Sequence, residues 1–103
     1  MTNSDLRYII GDTVHKAEPT AKAILFGSRA RGDAHESSDW DVLVIVDTPK
    51  VTDELFKALS YDLWEKGLDM GEEINPIIYT RKQWENAPPT EFKYNVQKEG
   101  IVL

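Results

Sequence analysis

Two aspartates separated by one residue, Asp39 and Asp41, stand immediately before a run of β-branched residues. Side chains alternate between the faces of a strand, so both carboxylates point to one side while Trp40 points to the other and is interpreted as core. Adjacent carboxylates repel unless a cation lies between them, and hard oxygen ligands suit Mg²⁺ bound together with substrate phosphates. The pair therefore predicts a Mg²⁺ site. The alternative is a solvated start of a strand with capping aspartates.

A second group of polar residues lies in the segment Gly27-Ser28-Arg29-Ala30-Arg31-Gly32, between a predicted strand and a short helical turn. Glycine lets the backbone approach a ligand closely, and the free N–H groups at the start of a helix attract anions. The Ser28 hydroxyl adds a donor, and Arg29 and Arg31 add cations for phosphate oxygens. The segment predicts a phosphate-binding turn. The alternative is an ordinary strand-to-helix turn with surface arginines.

A third polar group is expected where the next strand begins. A long helix between the predicted second and third strands allows a right-handed crossover, which makes those strands parallel and brings their starting ends together. Glu73 and Asn75 share one face there, close to the expected position of Asp39 and Asp41. Either can therefore stand third in the site. A neutral amide is a weaker Mg²⁺ ligand and a poor base, so the choice decides whether the site is catalytically competent.

The elements that must position these groups follow from periodicity and from breakers. Ser4 is predicted to cap a first helix that stops before Pro19, and Thr52 or Asp53 is predicted to open a second long helix. Pro76 places the third strand at an edge or at a bulge. Strands are predicted over residues 23–26, 42–46 and 74–79, and further helices over residues 28–31, 81–86 and 91–99. This order predicts an α/β (α+β) fold, a mixed β-sheet of about three to four strands with helices packed on it.

Composition limits the classes of protein that remain. A chain of 103 residues, 41% hydrophobic and 29% charged, fits a single globular domain spanning residues 1–103. It has no cysteine, no signal-like N-terminus and no apolar run near the roughly 20 residues of a membrane span, so we expect a cytoplasmic protein with no membrane contact. The net charge of −6 argues against extended nucleic-acid binding. It does not argue against a small triphosphate. Four aromatic residues are interpreted as core or interface groups, namely Trp64, Tyr79, Trp84 and Phe92.

The run Gly27-Ser28-x-Ala30-Arg31-Gly32, followed by Ser38-Asp39-x-Asp41 and an apolar strand, resembles the signature of the DNA polymerase β-type nucleotidyltransferase superfamily. The similarity extends to the order of elements over almost the whole chain, and it is closest to the minimal nucleotidyltransferase branch of antitoxin type. The resemblance implies that Gly27 and Ser28 hold the terminal phosphates of a nucleoside triphosphate. It also implies that Asp39 and Asp41 bind Mg²⁺, with one of them activating the acceptor hydroxyl.

The resemblance also bears on the partner. Minimal members are often paired with a small helical HEPN-type protein, and some adenylylate that partner toxin with ATP, which is the first functional hypothesis. A second hypothesis is a non-catalytic module that neutralises a HEPN-type partner by masking it, and a third is transfer to a small molecule such as an antibiotic. The family usually carries a third acidic residue on the later strand, which Glu73 would supply here. A homo- or hetero-oligomer is compatible with each hypothesis.

Overall fold

The computed structural model describes residues 2–103, which form four strands and five helices. In chain order the elements are α1 (Asn3–Ala17), β1 (Lys22–Phe26), α2 (Ser28–Arg31), β2 (Trp40–Val46), α3 (Asp53–Met70), β3 (Ile74–Thr80), α4 (Arg81–Glu85), α5 (Glu91–Glu99) and β4 (Ile101–Val102). Every predicted strand and helix is present, and their ends shift by two residues at most. None of the helices in this part of the chain has the length and apolar character needed to cross a membrane.

Helix ends follow the capping chemistry of the sequence, with one correction. The prediction that Ser4 caps α1 is wrong, because Thr2 is the N-cap. The Thr2 hydroxyl accepts from the N–H of Asp5 at 3.1 Å, and the Asp5 carboxylate accepts from the N–H of Thr2 at 3.0 Å. This reciprocal capping box satisfies two N–H groups at once, which Ser4 cannot do. Thr52 caps α3 as expected, and Gly71 ends it in the left-handed conformation.

The strands form one mixed sheet in the order β3-β2-β1-β4. β2 is paired with β3 in parallel and with β1 in antiparallel orientation. The predicted mixed sheet and the parallel β2–β3 pair are therefore confirmed, with α3 as the crossover. β3 lies at the edge of the sheet. Pro76 has no backbone N–H to donate, and an edge strand tolerates this because it pairs on one side only.

The two faces of the sheet are covered differently. One face packs against α1 and α3 and forms the main core, whose largest fully buried side chains include Trp40, Ile10, Leu25, Leu59 and Leu63. The opposite face carries Asp41 and is partly covered by α4 and α5. Phe26, Tyr79, Trp84 and Phe92 pack there edge-on or tilted, at ring-centroid distances of 5.3 to 5.9 Å.

Candidate active site

The first residues of β2 bring two carboxylates together. Asp41 lies in the strand and Asp39 directly precedes it, while Trp40 between them is 1% exposed in the core, as expected. Burial raises the pKa of Asp41, and the charge of Asp39 raises it further. Two half-buried carboxylates on one face are thus held close enough to repel each other. A cation between them would relieve that repulsion.

Asn75 completes this group from the neighbouring strand. It is the register partner of Asp41 across the parallel β2–β3 pair, and its Nδ2 donates to Asp39 Oδ2 at 2.9 Å. The same amide also lowers the pKa of Asp41 by hydrogen bonding. Asn75 therefore holds Asp39 by a direct hydrogen bond and lies beside Asp41 in the neighbouring strand. It occupies the third position that the sequence left open between Asn75 and Glu73.

Glu73 lies one residue before β3 with its side chain exposed. Its backbone carbonyl accepts from the N–H of Trp40 at 2.8 Å, which extends the β2–β3 pairing by one step. Its side chain lines a cleft of about 330 Å³ that Asn75 also lines. Glu73 is therefore at the rim of the site, whereas Asn75 contacts the carboxylates directly. The catalytic role expected of Glu73 stays a prediction.

The turn between β1 and α2 approaches the carboxylates closely. Gly27 has a φ of +77°, and a Cβ atom added to it would lie 2.5 Å from Oδ2 of Asp41. Only glycine fits both the backbone conformation and the space. The carbonyl of Gly27 accepts from the N–H groups of Ala30 and Arg31 and so begins α2. Ser28 is the first residue of that helix, where N–H groups have no partner within the helix. The predicted phosphate-binding turn therefore adjoins the carboxylate pair.

Arg31 brings positive charge to this end of the sheet. Its guanidinium forms ion pairs with Asp33 and with Glu99 of α5, both at 3.1 Å. Its charge also lowers the pKa of Asp41. About half of its side chain is exposed. Arg31 thus lies near the carboxylates and keeps donors available, as its predicted role in nucleotide binding requires.

Arg29 contacts protein atoms on the side of the sheet away from the carboxylates. Its guanidinium donates to the carbonyls of Ser38 and Glu36 and stacks 4.7 Å above the ring of Trp40. It also lies 3.5 Å from Glu72, whose carboxylate accepts from the Trp40 indole N–H. These contacts hold the loop before Asp39 against the start of β2. This anchoring role was not predicted from the sequence. Arg29 and Trp40 are 11 positions apart along the chain, and only the folded structure shows that they are in contact. Nucleotide binding by Arg29 stays a prediction.

The oxygen donors at this site are of the kind that hold Mg²⁺ together with water and phosphates. Among residues 2–103, no group of three or more His, Cys, Asp or Glu side chains converges to hold a metal ion. The site instead offers two carboxylates and one amide. Mg²⁺ is commonly held by one or two carboxylates with the remaining positions filled by water and substrate phosphates. Asp39 and Asp41, beside a turn suited to phosphates, match that requirement.

A family model described as the nucleotidyltransferase domain matches residues 6–103. A protein of Methanocaldococcus jannaschii, named as a protein adenylyltransferase, is 39% identical over 84 residues, which cover 80% of this chain and 76% of that protein. The match to the family model includes the Gly27-Ser28 turn, both aspartates and all of the sheet.

Solved structures share the fold at low sequence identity. A toxin–antitoxin structure with AMP-PNP superposes with a TM-score of 0.68 and 18% identity, covering 93% of this chain and 70% of that chain. A mutant of the toxin–antitoxin MntA-HpeT gives 0.62 and 14%, covering 99% and 72%. A protein of Sulfolobus solfataricus described as a nucleotidyltransferase gives 0.55 and 17%, covering 97% and 80%. At these identities the likeness concerns the fold alone.

Proposed function

Because this chain belongs to the nucleotidyltransferase domain family, we propose that it transfers AMP from ATP to a hydroxyl group of a partner protein, with Mg²⁺ as its cofactor. The observation that carries the proposal is the contact between two motifs that are distant in sequence. Gly27 has no room for a Cβ because Asp41 lies against it. A triphosphate bound at the turn would therefore lie beside the carboxylate pair.

In this proposal each residue has a separate task. Gly27 leaves space for phosphate oxygens, and the hydroxyl and N–H of Ser28 donate to them. Arg31 adds positive charge near the transferred group. Asp39 and Asp41 hold Mg²⁺, and Asn75 orients Asp39 through the 2.9 Å hydrogen bond. Bound there, Mg²⁺ offsets the charge of the phosphates and of the leaving pyrophosphate.

The chemical step is an in-line displacement at the α-phosphorus. The acceptor oxygen forms a bond to that phosphorus, the bond from the phosphorus to the bridging oxygen of the β-phosphate breaks, and pyrophosphate leaves. The hydroxyl proton passes to a carboxylate of the pair. Asp41 is the candidate for this role because it lies against the turn proposed to hold the phosphates.

The choice of acceptor rests on the relatives. The Methanocaldococcus protein is named for adenylylating protein, and two of the solved structures are toxin–antitoxin complexes. Together with the resemblance to minimal nucleotidyltransferases, this supports a HEPN-type helical protein as the partner and toxin neutralisation as the outcome. We propose the cytoplasm, where ATP is available, as the location of the reaction.

Calorimetry of ATP binding tests the nucleotide site. We expect the wild-type chain to bind ATP only with Mg²⁺ present and the Asp41→Ala variant to lose at least about 30-fold in affinity, the loss expected of a charged contact worth about 2 kcal/mol. Incubation with α-labelled ATP and the protein encoded beside this chain should then transfer label to that protein. ATP binding that is equally strong without Mg²⁺ or without Asp41 would exclude the proposed site.

One observation favours a second function, the masking of a partner without catalysis. Asn75, a neutral amide, contacts the Asp39 carboxylate directly, whereas the acidic Glu73 lies at the rim of the site. The Asp39→Ala, Asp41→Ala double variant separates the two functions in a growth-rescue assay with the partner toxin. Rescue by the double variant supports masking, whereas its loss in a variant that still binds the toxin supports catalysis.

A further inference from the structure

Helix α3 carries a second apolar face that the fold leaves uncovered. Phe56, Tyr61, Trp64 and Leu68 are 52, 57, 56 and 61% exposed. The other large exposed apolar residues of the described chain are scattered singly over α1, β3, α5 and β4. Single exposed apolar residues are normal on a protein surface, but a group of four on one helix indicates a binding surface. We call these four residues the α3 strip.

Three residues of the strip lie apart from the side of α3 that builds the core. Leu59 and Leu63 on the inner side are fully buried. At 100° per residue, Tyr61, Trp64 and Leu68 fall within an arc of about 60°, centred roughly 150° around the helix from Leu59 and Leu63. Phe56 lies on the same side of the helix as those two leucines, near the start of α3, and is nevertheless 52% exposed. An amphipathic helix needs one apolar stripe to pack on its own domain. The α3 strip is therefore not required by the fold of this chain.

Two aromatic side chains of the strip are already organised. The rings of Tyr61 and Trp64 pack against each other with their centroids 5.8 Å apart. Phe56 and the methylene groups of Lys57 extend the apolar surface toward the start of α3. Tryptophan and tyrosine dominate the energetics of protein–protein interfaces because they bury large areas while losing little side-chain entropy.

The strip leads directly to the candidate active site. Trp64 and Leu68 form one wall of the 330 Å³ cleft whose other residues are Glu72, Glu73, Ile74 and Asn75. Asn75 in turn donates to Asp39. The cleft therefore connects the α3 strip to Asn75, the residue that contacts the Asp39 carboxylate.

The charge around the strip identifies what it can bind. Residues 53–73 contain seven carboxylates and two lysines, so this segment holds a net −5 of the chain's −6. Within the described residues, Glu65, Asp69 and Glu73 form no ion pair with a basic side chain. Such a surface repels nucleic-acid phosphates, and it repels a second copy of itself. It attracts a basic partner.

We propose that the α3 strip and the adjoining cleft are the docking surface for the acceptor protein, and that the acceptor binds through an apolar segment flanked by Lys and Arg. The inference rests on the proposed function for the identity of the occupant as the acceptor. It adds to that function the route by which the acceptor hydroxyl reaches Asp39 and Asp41, from the side of α3 and over the edge of β3.

Site-specific photo-crosslinking in cells tests the location of the surface. A photoreactive phenylalanine analogue replaces Tyr61 and, in a matched control, Tyr94 of α5, which is 61% exposed and lies on the opposite side of the sheet. We expect one protein to be crosslinked from position 61 and not from position 94. Equal crosslinking from both positions, or none from position 61, overturns the proposal.

The protein identified by crosslinking is then purified without the crosslink and serves as the titrant in calorimetry. We expect Trp64→Ser and Leu68→Lys each to weaken its binding by about 30-fold or more, as for interface hot spots, while Tyr94→Ser stays within about twofold. The affinity should fall with added salt, and Glu65→Lys with Asp69→Lys should lower it further. Binding that tolerates Trp64→Ser and Leu68→Lys, or that strengthens with Glu65→Lys, contradicts the proposed surface.

Separate measurements distinguish failure of this inference from failure of the proposed function. If the wild-type chain binds Mg²⁺ and ATP but the strip variants bind the partner normally, only the docking surface is wrong. If the strip variants lose the partner while the wild-type chain neither binds ATP nor labels the partner, the surface stands and the chain acts by masking. Circular dichroism of each variant checks the fold, which these exposed positions should not disturb.

Discussion

The two faces of β2 differ in what they contribute. On one face Trp40, Val42 and Val44 are buried beneath α1 and α3. On the other face Asp41 is half-buried beside Asp39, and burial raises its pKa. Trp40, Val42 and Val44 therefore stabilise the fold, whereas the half-buried charge of Asp41 reduces its stability. The contrast shows that the first residues of β2 contribute to the core on one face and hold charge under repulsion on the other.

The largest effect is expected from a cavity on the face of the sheet that packs against α1 and α3. Leu63→Ala removes a fully buried side chain of α3 and should lower the free energy of unfolding by about 3 kcal/mol, as for other buried leucines. Urea denaturation at neutral pH measures it. Leu68→Ala is the matched control on the same helix, and it should change the free energy by less than about 0.5 kcal/mol because Leu68 is exposed. Similar losses for both variants would mean that the α3 strip is packed.

A smaller effect is expected at the turn that faces Asp41. Gly27→Ala places a methyl group against Oδ2 of Asp41 at a φ of +77°, which should cost about 2 kcal/mol and abolish Mg²⁺-dependent ATP binding. Gly71→Ala serves as the control, since its φ is +68° but no atom lies within 4 Å of the added Cβ. It should cost about 1 kcal/mol and leave ATP binding intact. Equal losses of binding in both variants would separate Gly27 from the site.

The charged side can be tested by adding a third carboxylate. Asn75→Asp removes the amide donor and places a further negative charge 2.9 Å from the Asp39 carboxylate. The free energy of unfolding without metal should fall by about 1 kcal/mol, while Mg²⁺ binding should strengthen because a third hard ligand is available. Asn75→Ala removes the hydrogen bond without adding charge. An Asn75→Asp variant as stable as Asn75→Ala and with unchanged Mg²⁺ affinity would refute this account of the position.

The smallest expected effect is a gain in stability rather than a loss, and it concerns Asp41. Since the pKa of Asp41 is raised in the folded state above its ordinary value of 3.8, the folded protein keeps this proton at pH values where the unfolded chain has lost it. The contribution of Asp41 to stability is therefore greatest below pH 3.8 and declines as pH rises through the raised pKa. At neutral pH without metal, Asp41→Asn should raise the melting temperature slightly while removing Mg²⁺-dependent ATP binding.

Thermal melts of the wild type and Asp41→Asn between about pH 4 and 7 test this expected gain in stability. The range begins near the ordinary pKa of an aspartate and extends above it. The two curves should diverge as pH rises, with the variant more stable at the upper end. Asp39 and Arg31 are the charged groups that act on Asp41, and both remain in the variant. A wild type that is more stable than Asp41→Asn at neutral pH would mean that Asp41 is favourably paired.

Much of the fold was predictable because its signals are local. The short helix over residues 28–31 was predicted from a glycine at either side, and the structure has it at Ser28–Arg31. Pro76 indicated an edge strand, and β3 lies at the edge of the sheet. The cap of α1 was misplaced because Thr2 and Ser4 are both good capping residues, and only the reciprocal bond with Asp5 distinguishes them.

The candidate site was predictable in part. The alternation of a strand placed Asp39 and Asp41 on one face, and the long crossover helix brought the start of β3 beside them. The sequence left two candidates for the third position, and register decided that Asn75 faces Asp41. Arg29 was predicted to bind nucleotide, yet its guanidinium contacts Trp40 and the carbonyl of Ser38. No rule of spacing connects these groups.

The residue types of the site, the order of the elements and the family can be inferred from the amino-acid sequence alone, since each follows from neighbours a few positions apart. Three features depend on the folded structure: the approach of Gly27 to Asp41, the hydrogen bond from Asn75 to Asp39 and the exposure of the α3 strip. The first two depend on strand register and on the turn between β1 and α2. The third depends on which stripe of α3 the sheet covers, because a helix with two apolar faces does not reveal from sequence which one is buried.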